Sequence, residues 1–324
     1  ICNSLGVKGA TVIFTASGTE ANNLAIFGRA LSKERYKKGA KIITTMGEHA
    51  SVDSPLDALK NMGYKIVRIP TVGGEIDLSA LEKELGSDVI LVSMMMVNNE
   101  TGALYNSSGV AKLVKAKCPE ALIHLDATQS YLKLPFTKTS SGWDMITISS
   151  HKIEGPKGVG ALVVDASVMK ARGLAPITLG GGQEGGMRSG TENVPGIAAF
   201  GEAVRIGYAN LRARYATLCE LRAYLVSRVS EELSEVKILT PKANSPHIVN
   251  ITLPKIKSET MLHSLSSLGI FVSSGSGVTS CPNSRLNKLP TARVGFFPSS
   301  MSASKASQTN SFTPSITLLM PFFA

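Results

Sequence analysis

A lysine in an unusual place is the first residue that could do chemistry. Lys152 lies in the segment ISSHKIEGPKGVG, residues 148–160, directly after the apolar run WDMITISS. A surface lysine is the common case, but it fits poorly behind a buried strand. A P-loop lysine would need the pattern GxxxxGK[ST], which neither Lys152 nor Lys157 satisfies. The third interpretation is a Schiff-base lysine, whose amine must be kept near neutral by burial or by positive neighbours.

A lysine of that kind suggests a pyridoxal phosphate site, which needs three further parts. The pyridine nitrogen needs a carboxylate, the phosphate needs donors at a helix start, and the ring needs a face to stack on. The candidates are Asp126 in HLDATQ, Ser17-Gly18-Thr19 and His49 in GEHAS. The alternatives are an aspartate that caps the next helix, an ordinary threonine cap and a solvated loop histidine. Each signal is weak alone, and their common position in the fold strengthens them.

An α/β sheet is the scaffold that would hold these residues. Buried apolar runs alternate with helical patterns through roughly the first 200 residues, which favours parallel βαβ units with helices on both faces. The predicted strands are ATVIFTA, KIITTM, YKIVRIP, VILVSMMMV, ALIHLDA, WDMITISS and GALVVD. Ligands of such sheets bind beyond the carboxyl ends of the strands. The polar residues expected at that edge are Thr19, His49, Asn99, Asp126, Gln129, Ser149, His151 and Lys152.

A smaller second domain is predicted after a long helix. The amphipathic pattern from about Val194 to Glu235 predicts the helix, and HIVNITLP and MLHSLSSLGIFVSSG indicate strand, helix and strand. We assign residues 1–205 to a large cofactor-binding domain and residues 206–298 to a small C-terminal α+β domain joined by the helix. Residues 299–324, rich in Ser and Thr, are expected to form an atypical, disordered tail.

Composition ranks the remaining function classes. The chain has 324 residues, a formal charge of +10 and only 6% aromatics, and its basic residues are scattered. Direct nucleic-acid binding is therefore disfavoured. No apolar run reaches the ~20 residues of a membrane span. The cysteines lie far apart, so no metal site is expected and a reducing cytoplasm is the simplest setting; they are Cys2, Cys118, Cys219 and Cys281.

Six motifs together resemble one family. In chain order they are TASGTEANNLAI, EHASV, VNNETG, HLDATQS, SSHKIEGPKGVGAL and GGGQEGGMRSGTENVPGI, and they resemble the cysteine desulfurase and selenocysteine lyase family of the class V aminotransferase group. The resemblance covers roughly residues 1–275. It implies a type I pyridoxal-phosphate-dependent transferase fold, usually homodimeric, that takes sulfur from L-cysteine and leaves L-alanine. The sulfur would pass to an acceptor such as an iron–sulfur scaffold or a tRNA-thiolation enzyme.

The resemblance implies a role for each residue around the cofactor ring. Lys152 would bind the cofactor covalently. Asp126 would pair with the pyridine nitrogen, and Gln129 would bond the phenolic oxygen. His49 would stack on the ring and move protons, with His49 or the released Lys152 acting as the base.

It also implies contacts to the phosphate and the substrate. Asn99 would contact the ring oxygen or the substrate carboxylate. Arg293 in ARVGF is the match for the arginine that binds this carboxylate in a bidentate manner. The phosphate would be held by Gly18, Thr19, Ser149, His151 and, across the dimer interface, Thr191.

Two departures from the family pattern bear on the function. The family's LDNAATT-like motif does not occur, so a truncated N-terminus is expected. The family's nucleophilic cysteine lies in a loop similar to SSGSACSS, whereas residues 273–281 are SSGSGVTSC. Val278 occupies the expected position, which makes Cys281 the candidate thiolate that attacks the substrate sulfur. A spare cysteine is the alternative at Cys281. A selenocysteine lyase, or an impaired relative that retains only cofactor binding, is the alternative function.

Overall fold

The computed structural model describes residues 1–32, 39–253, 256–275, 291–295 and 315–319. The chain forms two compact units, the first made of Ile1–Val97 and Tyr105–Leu211. The second takes its described residues from Asn98–Leu104 and Arg212–Ala324. The short segment Asn98–Leu104 therefore groups with the second unit, although the residues on both sides of it belong to the first.

A seven-stranded sheet carries the first unit. Its strands are β1 (Thr11–Thr15), β2 (Lys41–Thr45), β3 (Lys65–Ile69), β6 (Val89–Met95), β7 (Leu122–Asp126), β8 (Met145–Ser149) and β9 (Gly160–Val164). The strands β4 (Thr71–Val72) and β5 (Glu75–Ile76) form a separate two-stranded ribbon. The sheet order is β1-β9-β8-β7-β6-β2-β3. Neighbours from β8 to β3 are parallel, and β9 is antiparallel to both β1 and β8. The predicted, mostly parallel α/β sheet is confirmed.

Helices cover this sheet because its strands are apolar on both faces. Every residue of β6, β8 and β9 is buried. Leu24 and Leu56, from two of the helices, lie in one core cluster with strand residues such as Ile42 and Leu162. The helices of the first unit are α1 (Gly18–Ala30), α2 (Ala50–Asn61), α3 (Leu78–Glu84), α4 (Ser107–Lys117), α5 (Lys138–Ser141) and α6 (Ala166–Lys170).

A long helix, α7 (Val194–Glu232), starts where the amphipathic pattern predicts and ends slightly earlier. The chain passes from the first unit to the second between Leu211 and Arg212, within this helix. Among the described helices, none has both the length and the apolar composition that a bilayer crossing requires.

The described residues of the second unit form a five-stranded sheet and one further helix. Val249, Ile251 and Val272 form its buried core, packed against apolar side chains that include Leu225 and Leu262. The last strand falls inside the range for which the sequence predicts an atypical tail. In chain order the elements are β10 (Lys237–Leu239), β11 (Ile248–Thr252), α8 (Ser258–Ser267), β12 (Val272–Gly275), β13 (Thr291–Gly295) and β14 (Ser315–Leu319).

Candidate active site

The carboxyl edge of the seven-stranded sheet gathers most of the predicted site residues. β1 runs in the same direction as β8, because each is antiparallel to β9. The helix α1 therefore starts at the same edge at which β2, β7 and β8 end. His49 follows β2, Asp126 is the last residue of β7, and Ser149 is the last residue of β8. Lys152 lies in the 3₁₀ turn Ser150–Ile153 that follows and is half-buried.

The start of α1 has the geometry of an anion-binding site. Ser17, and not Thr19, caps the helix, since its Oγ accepts a hydrogen bond from the backbone N–H of Glu20 at 3.1 Å. The Thr19 residue is exposed. The first N–H groups of a helix have no partner within it and carry positive partial charge. Together with the Thr19 hydroxyl they form a site that suits a phosphate.

Close backbone packing brings β8 and β9 against this helix start. A Cβ on Gly18 would lie 3.3 Å from the Cβ of Ser149. A Cβ on Gly160, the first residue of β9, would lie only 2.5 Å from the backbone carbonyl carbon of Ser17, so a side chain does not fit there. Glycine at these positions therefore lets the Ser149 side chain approach the first turn of α1.

Positive charge surrounds the same corner. The Ser149 hydroxyl lies 2.9 Å from Nδ1 of His151. Burial, followed by the charges of Lys152, Lys133 and Lys157, lowers the pKa of His151. The three lysine charges that contribute to this shift after burial mark a local positive potential. Such a potential favours a phosphate dianion.

Asp126 is a buried carboxylate that no cation neutralises within the described part of the chain. The residue is 6% exposed. Its Oδ2 accepts a hydrogen bond from Nδ2 of Asn22 at 2.8 Å, and its Oδ1 accepts one from the backbone N–H of Thr128 at 2.9 Å. The bond to Thr128 caps the turn that follows β7, where the alternative expected a helix, and the bond to Asn22 goes beyond a cap. A buried carboxylate is costly without a cation, so this group is matched to a protonated ring nitrogen.

The neighbouring histidine does not supply that cation. His124 is fully buried, with Nδ1 2.8 Å from the Ser93 hydroxyl and Nε2 3.0 Å from the Thr147 hydroxyl. Burial lowers the pKa of His124 to about 4, although the charge of Asp126 opposes the shift. His124 is therefore neutral at physiological pH and serves to join β6, β7 and β8.

Asn22 connects Asp126 to His49, and the sequence analysis missed it. Its Nδ2 also donates to the Ser51 hydroxyl at 2.9 Å, and that hydroxyl lies 2.8 Å from Nδ1 of His49. The signal was present: Asn22 shares the buried face of α1 with Ala25 and Ile26, where a polar residue needs partners.

The hydrogen bond made by His49 sets the tautomer of its neutral ring. Nδ1 accepts a hydrogen bond from the backbone N–H of Ser51 at 3.1 Å and so caps α2. A ring nitrogen that accepts from an N–H carries no proton, so the neutral ring is protonated at Nε2. His49 is exposed, as expected for a loop histidine, but its orientation is set by the cap. A cleft of about 510 Å³ is lined in part by Thr19 and His49.

Glu48 is a second carboxyl group that was not anticipated. Its Oε1 accepts hydrogen bonds from the Thr45 hydroxyl at 2.5 Å and from the backbone N–H of Met95 at 3.0 Å. Its Oε2 is buried and has no hydrogen-bond partner among the described residues. Burial raises the pKa of Glu48 to about 8, against the two hydrogen bonds and with a contribution from Asp126. Glu48 is therefore mainly protonated at neutral pH.

Gln129 lies in the turn after Asp126 and is buried. Its Oε1 accepts a hydrogen bond from Nζ of Lys133 at 3.2 Å. In the part of the chain that the structure describes, its amide NH₂ donates to no other group. The side chain therefore offers a hydrogen-bond donor to a ligand oxygen.

The remaining predicted residues belong to other parts of the chain. Thr191 is exposed and lines another cavity, of about 260 Å³, together with Phe14 and Arg188. Asn99 belongs to the segment Asn98–Leu104 of the second unit. Arg293 lies on β13, but its side chain, like Val278 and Cys281, is outside the described residues. The roles of Thr191, Asn99, Arg293 and Cys281 stay predictions.

The residues present fit pyridoxal phosphate. The carboxyl edge of the sheet offers a half-buried lysine, an amide donor and a helix start suited to phosphate. It also offers a buried carboxylate that has no cationic partner among the described residues. These are the groups that the ring nitrogen, the ring oxygen and the phosphate of this cofactor require. Lys152, Asp126, Gln129 and the first turn of α1 would hold it.

Comparison with known proteins gives a consistent assignment. The aminotransferase class V family matches residues 1–304. Cysteine desulfurase IscS of Dictyoglomus turgidum is 36% identical over 282 residues, which are 86% of this chain and 70% of the relative. Cysteine desulfurase IscS 1 of Archaeoglobus fulgidus is 37% identical over 273 residues, which are 84% of this chain and 69% of the relative.

Solved structures agree with these relatives. A NifS-like protein superposes with a TM-score of 0.82 and 33% identity, over 90% of this chain and 79% of that chain. The NifS-like protein from Rickettsia africae has a TM-score of 0.79 and 28% identity, over 100% of this chain and 81% of that chain. The chain therefore belongs to the class V aminotransferase family, in its cysteine desulfurase group, and its cofactor is pyridoxal phosphate.

Proposed function

We propose that this chain removes sulfur from L-cysteine, leaves L-alanine and passes the sulfur on for iron–sulfur cluster or thio-cofactor assembly. The main support is one observation. Asp126 is a buried carboxylate that has no cationic partner among the described residues, and it lies at the same sheet edge as Lys152. The cysteine desulfurase relatives support the choice of substrate. Pyridoxal phosphate, when bound, supplies the electron sink that activates the Cβ–S bond.

The chain's own residues then have separate tasks. Asp126 keeps the ring nitrogen protonated, and the hydrogen bonds from Asn22 and Thr128 keep its carboxylate in place. Gln129 donates its amide N–H to the ring oxygen. The phosphate is held by the first turn of α1 with Gly18 and Thr19, and by Ser149 and His151.

His49 acts as a hydrogen-bond donor through Nε2 in this proposal, and Lys152 acts as the base. Nδ1 of His49 is already used as an acceptor for the backbone N–H of Ser51. Its accessible nitrogen, Nε2, therefore carries the proton in the neutral ring and has no lone pair with which to accept another. A lysine amine kept neutral by its surroundings can accept the substrate proton instead.

Residues beyond this cluster complete the proposal. The thiolate of Cys281 attacks the substrate sulfur: the Cβ–S bond breaks, an S–S bond forms to the enzyme, and the carbon is protonated to give alanine. Asn99 and Arg293 bind the substrate, and Thr191 reaches the phosphate of a partner in a homodimer. The acceptor is a sulfur-carrier protein. A reducing, cytoplasmic setting agrees with the free thiols of Cys2, Cys118 and Cys219.

Turnover by the purified protein tests the proposal. With pyridoxal phosphate bound, the protein should convert L-cysteine to L-alanine, measured by chromatography, and should release sulfide when a thiol reductant is present. Lys152→Ala should lower alanine formation by about 100- to 10,000-fold, as expected for loss of a catalytic base. The matched control is Lys170→Ala, an exposed lysine at the end of α6 and away from the site.

Two results would replace the proposal with its alternatives. Strong alanine formation from L-selenocysteine without any from L-cysteine would identify a selenocysteine lyase. Bound cofactor without turnover of either substrate would identify an impaired relative, an outcome motivated by Val278 at the position expected for the cysteine. Labelling of Cys281 by the substrate sulfur, followed by mass spectrometry, and its loss in Cys281→Ser test the nucleophile separately.

A further inference from the structure

A second lysine lies buried beside the site and has no part in the proposed chemistry. Lys133 is 7% exposed and follows Gln129 by four residues, in the same turn-rich segment after β7. Lysine is seldom buried without a partner, because desolvation of the ammonium group is costly. Its position therefore calls for a reason.

The partner of Lys133 is the Gln129 side chain. Nζ of Lys133 lies 3.2 Å from Oε1 of Gln129. Within the described residues this is the one side-chain acceptor that the Nζ reaches. A charged lysine has three donors and no acceptor. Whenever Lys133 is charged, the amide of Gln129 therefore presents its oxygen to Lys133 and directs its NH₂ group away.

The two ends of an amide differ in what they can bind. With the oxygen occupied by Lys133, Gln129 can only donate to a ligand. With the amide turned over, it would present its oxygen to the electron-rich ring oxygen and would repel it. The orientation that Lys133 enforces is the one that a phenolic oxygen requires.

The charge of Lys133 also affects its neighbours. Burial and the charge of Lys152 lower the pKa of Lys133 to about 7, and Glu154 opposes the shift. The repulsion is mutual, so a charged Lys133 favours the neutral amine of Lys152. A neutral amine is the form that can bond to a carbonyl carbon.

We propose that Lys133 is a positioning residue, which holds the Gln129 amide with its NH₂ group directed at the ring oxygen of pyridoxal phosphate. The inference depends on the proposed function for the identity of the ring and on the contact between Lys133 and Gln129 for the rest. Lys133 itself contacts no substrate in this assignment.

The absorption spectrum of the purified holoenzyme tests the proposal. Lys133→Met keeps the length of the side chain and removes the donor. We expect a shifted visible band of the bound cofactor, an upward shift of about one pH unit in the midpoint of its pH titration, and cofactor release on dialysis that is about 5- to 20-fold faster. The matched control is Lys115→Met, at the opposite edge of the sheet, which should leave the band and its midpoint unchanged.

A double-mutant cycle separates positioning from general stability. Gln129→Ala removes the group through which Lys133 is proposed to act. In the Gln129→Ala background, Lys133→Met should accelerate cofactor release by less than about 2-fold, because the two effects share one path. Thermal unfolding of each variant shows that it folds.

Three outcomes would overturn the proposal. A Lys133→Met holoenzyme with the wild-type band and midpoint would show that the lysine has no influence on the ring. Fully additive effects in the cycle would show that it does not act through Gln129. A wild-type protein without any cofactor band would refute the proposed function first, and this inference with it.

Discussion

Two aspartates at opposite edges of the same sheet differ in how the fold stabilises a carboxylate that is largely shielded from water. Asp144 precedes β8 at the amino edge, where its Oδ2 accepts hydrogen bonds from Nζ of Lys115 and from the backbone N–H of Ile123, both at 2.8 Å. Asp126 ends β7 at the carboxyl edge, and its donors among the described residues are uncharged, the Asn22 amide and the Thr128 N–H. One carboxylate has its cation within the fold, and the other has donors that orient it.

The difference separates a structural carboxylate from one that is prepared for a ligand. A carboxylate whose function is structural is most stable with a cation supplied by the chain itself. Asp126 is more deeply buried than Asp144, and yet its neighbours provide position without charge. We interpret this as a place for a positive charge that arrives with the cofactor.

The largest effect is expected when Asp126 loses its charge. Asp126→Asn keeps the shape of the side chain but leaves the ring nitrogen without its counter-ion. Removing one partner of a buried ion pair costs about 3–5 kcal/mol, so we expect alanine formation to fall by roughly 100- to 1,000-fold. Steady-state kinetics with saturating cofactor measures the change.

Asp144→Asn is the matched control for that variant. It should lower the melting temperature while the visible spectrum and turnover of the holoenzyme stay close to wild type. If Asp144→Asn lowered turnover as much as Asp126→Asn, the distinction between the two edges would be wrong.

The order of strands and site residues along the chain explains which parts of the site could be predicted from the sequence. Asp126 and Ser149 lie at the ends of apolar runs, and His49 follows such a run by three residues. In a parallel sheet such positions share one edge, so the sequence alone brought them together. Lys133 and Asn22 could not be assigned in this way. Each acts through a partner, and the partner of Asn22 lies far along the chain, so its role depends on how α1 packs against β7. The grouping of Asn98–Leu104 with the second unit is likewise a tertiary property.

Glu48 differs from both aspartates, because this buried carboxyl group keeps its proton. Its pKa is raised from 4.5 to about 8, so the folded state holds a proton that the unfolded state loses above about pH 4.5. Glu48 therefore reduces stability increasingly as pH rises from 4.5 to 8. We expect Glu48→Gln to be more stable than wild type by about 4 kcal/mol at pH 8, with little difference near pH 4.5. Urea unfolding at several pH values measures it.

The test is whether the stability difference between Glu48→Gln and wild type grows as the pH rises. A stability gain that is constant from pH 4.5 to 8 would mean that Glu48 does not change protonation on folding. Glu48 would then be a second charged carboxylate near Asp126, and the carboxyl edge would carry two negative charges in place of one.

A smaller effect is expected from the amide that holds Asp126. Asn22→Ala removes one of the two hydrogen bonds to the carboxylate and interrupts the link to Ser51. Hydrogen bonds to charged groups are worth about 1.5–3 kcal/mol, so cofactor affinity, measured by equilibrium dialysis, should weaken by roughly 10- to 100-fold. Asn210→Ala, which removes an asparagine bonded to a carbonyl of its own helix α7, should leave the affinity unchanged. Unchanged affinity in Asn22→Ala would show that the Thr128 N–H alone positions Asp126.

The smallest effect is expected at the amino edge, where Lys115→Met removes the cation of Asp144. The lysine side chain is 39% exposed and that of Asp144 is 15% exposed, so solvent screens much of the attraction. The Ile123 N–H still binds Asp144, and the nearby charge of Lys138 compensates in part. We expect a loss of about 1 kcal/mol in unfolding free energy, less at high salt, and an unchanged cofactor band. A shifted band would mean that the two edges of the sheet are electrostatically coupled, and Asp126 could then no longer be treated as a site separate from the structural pair.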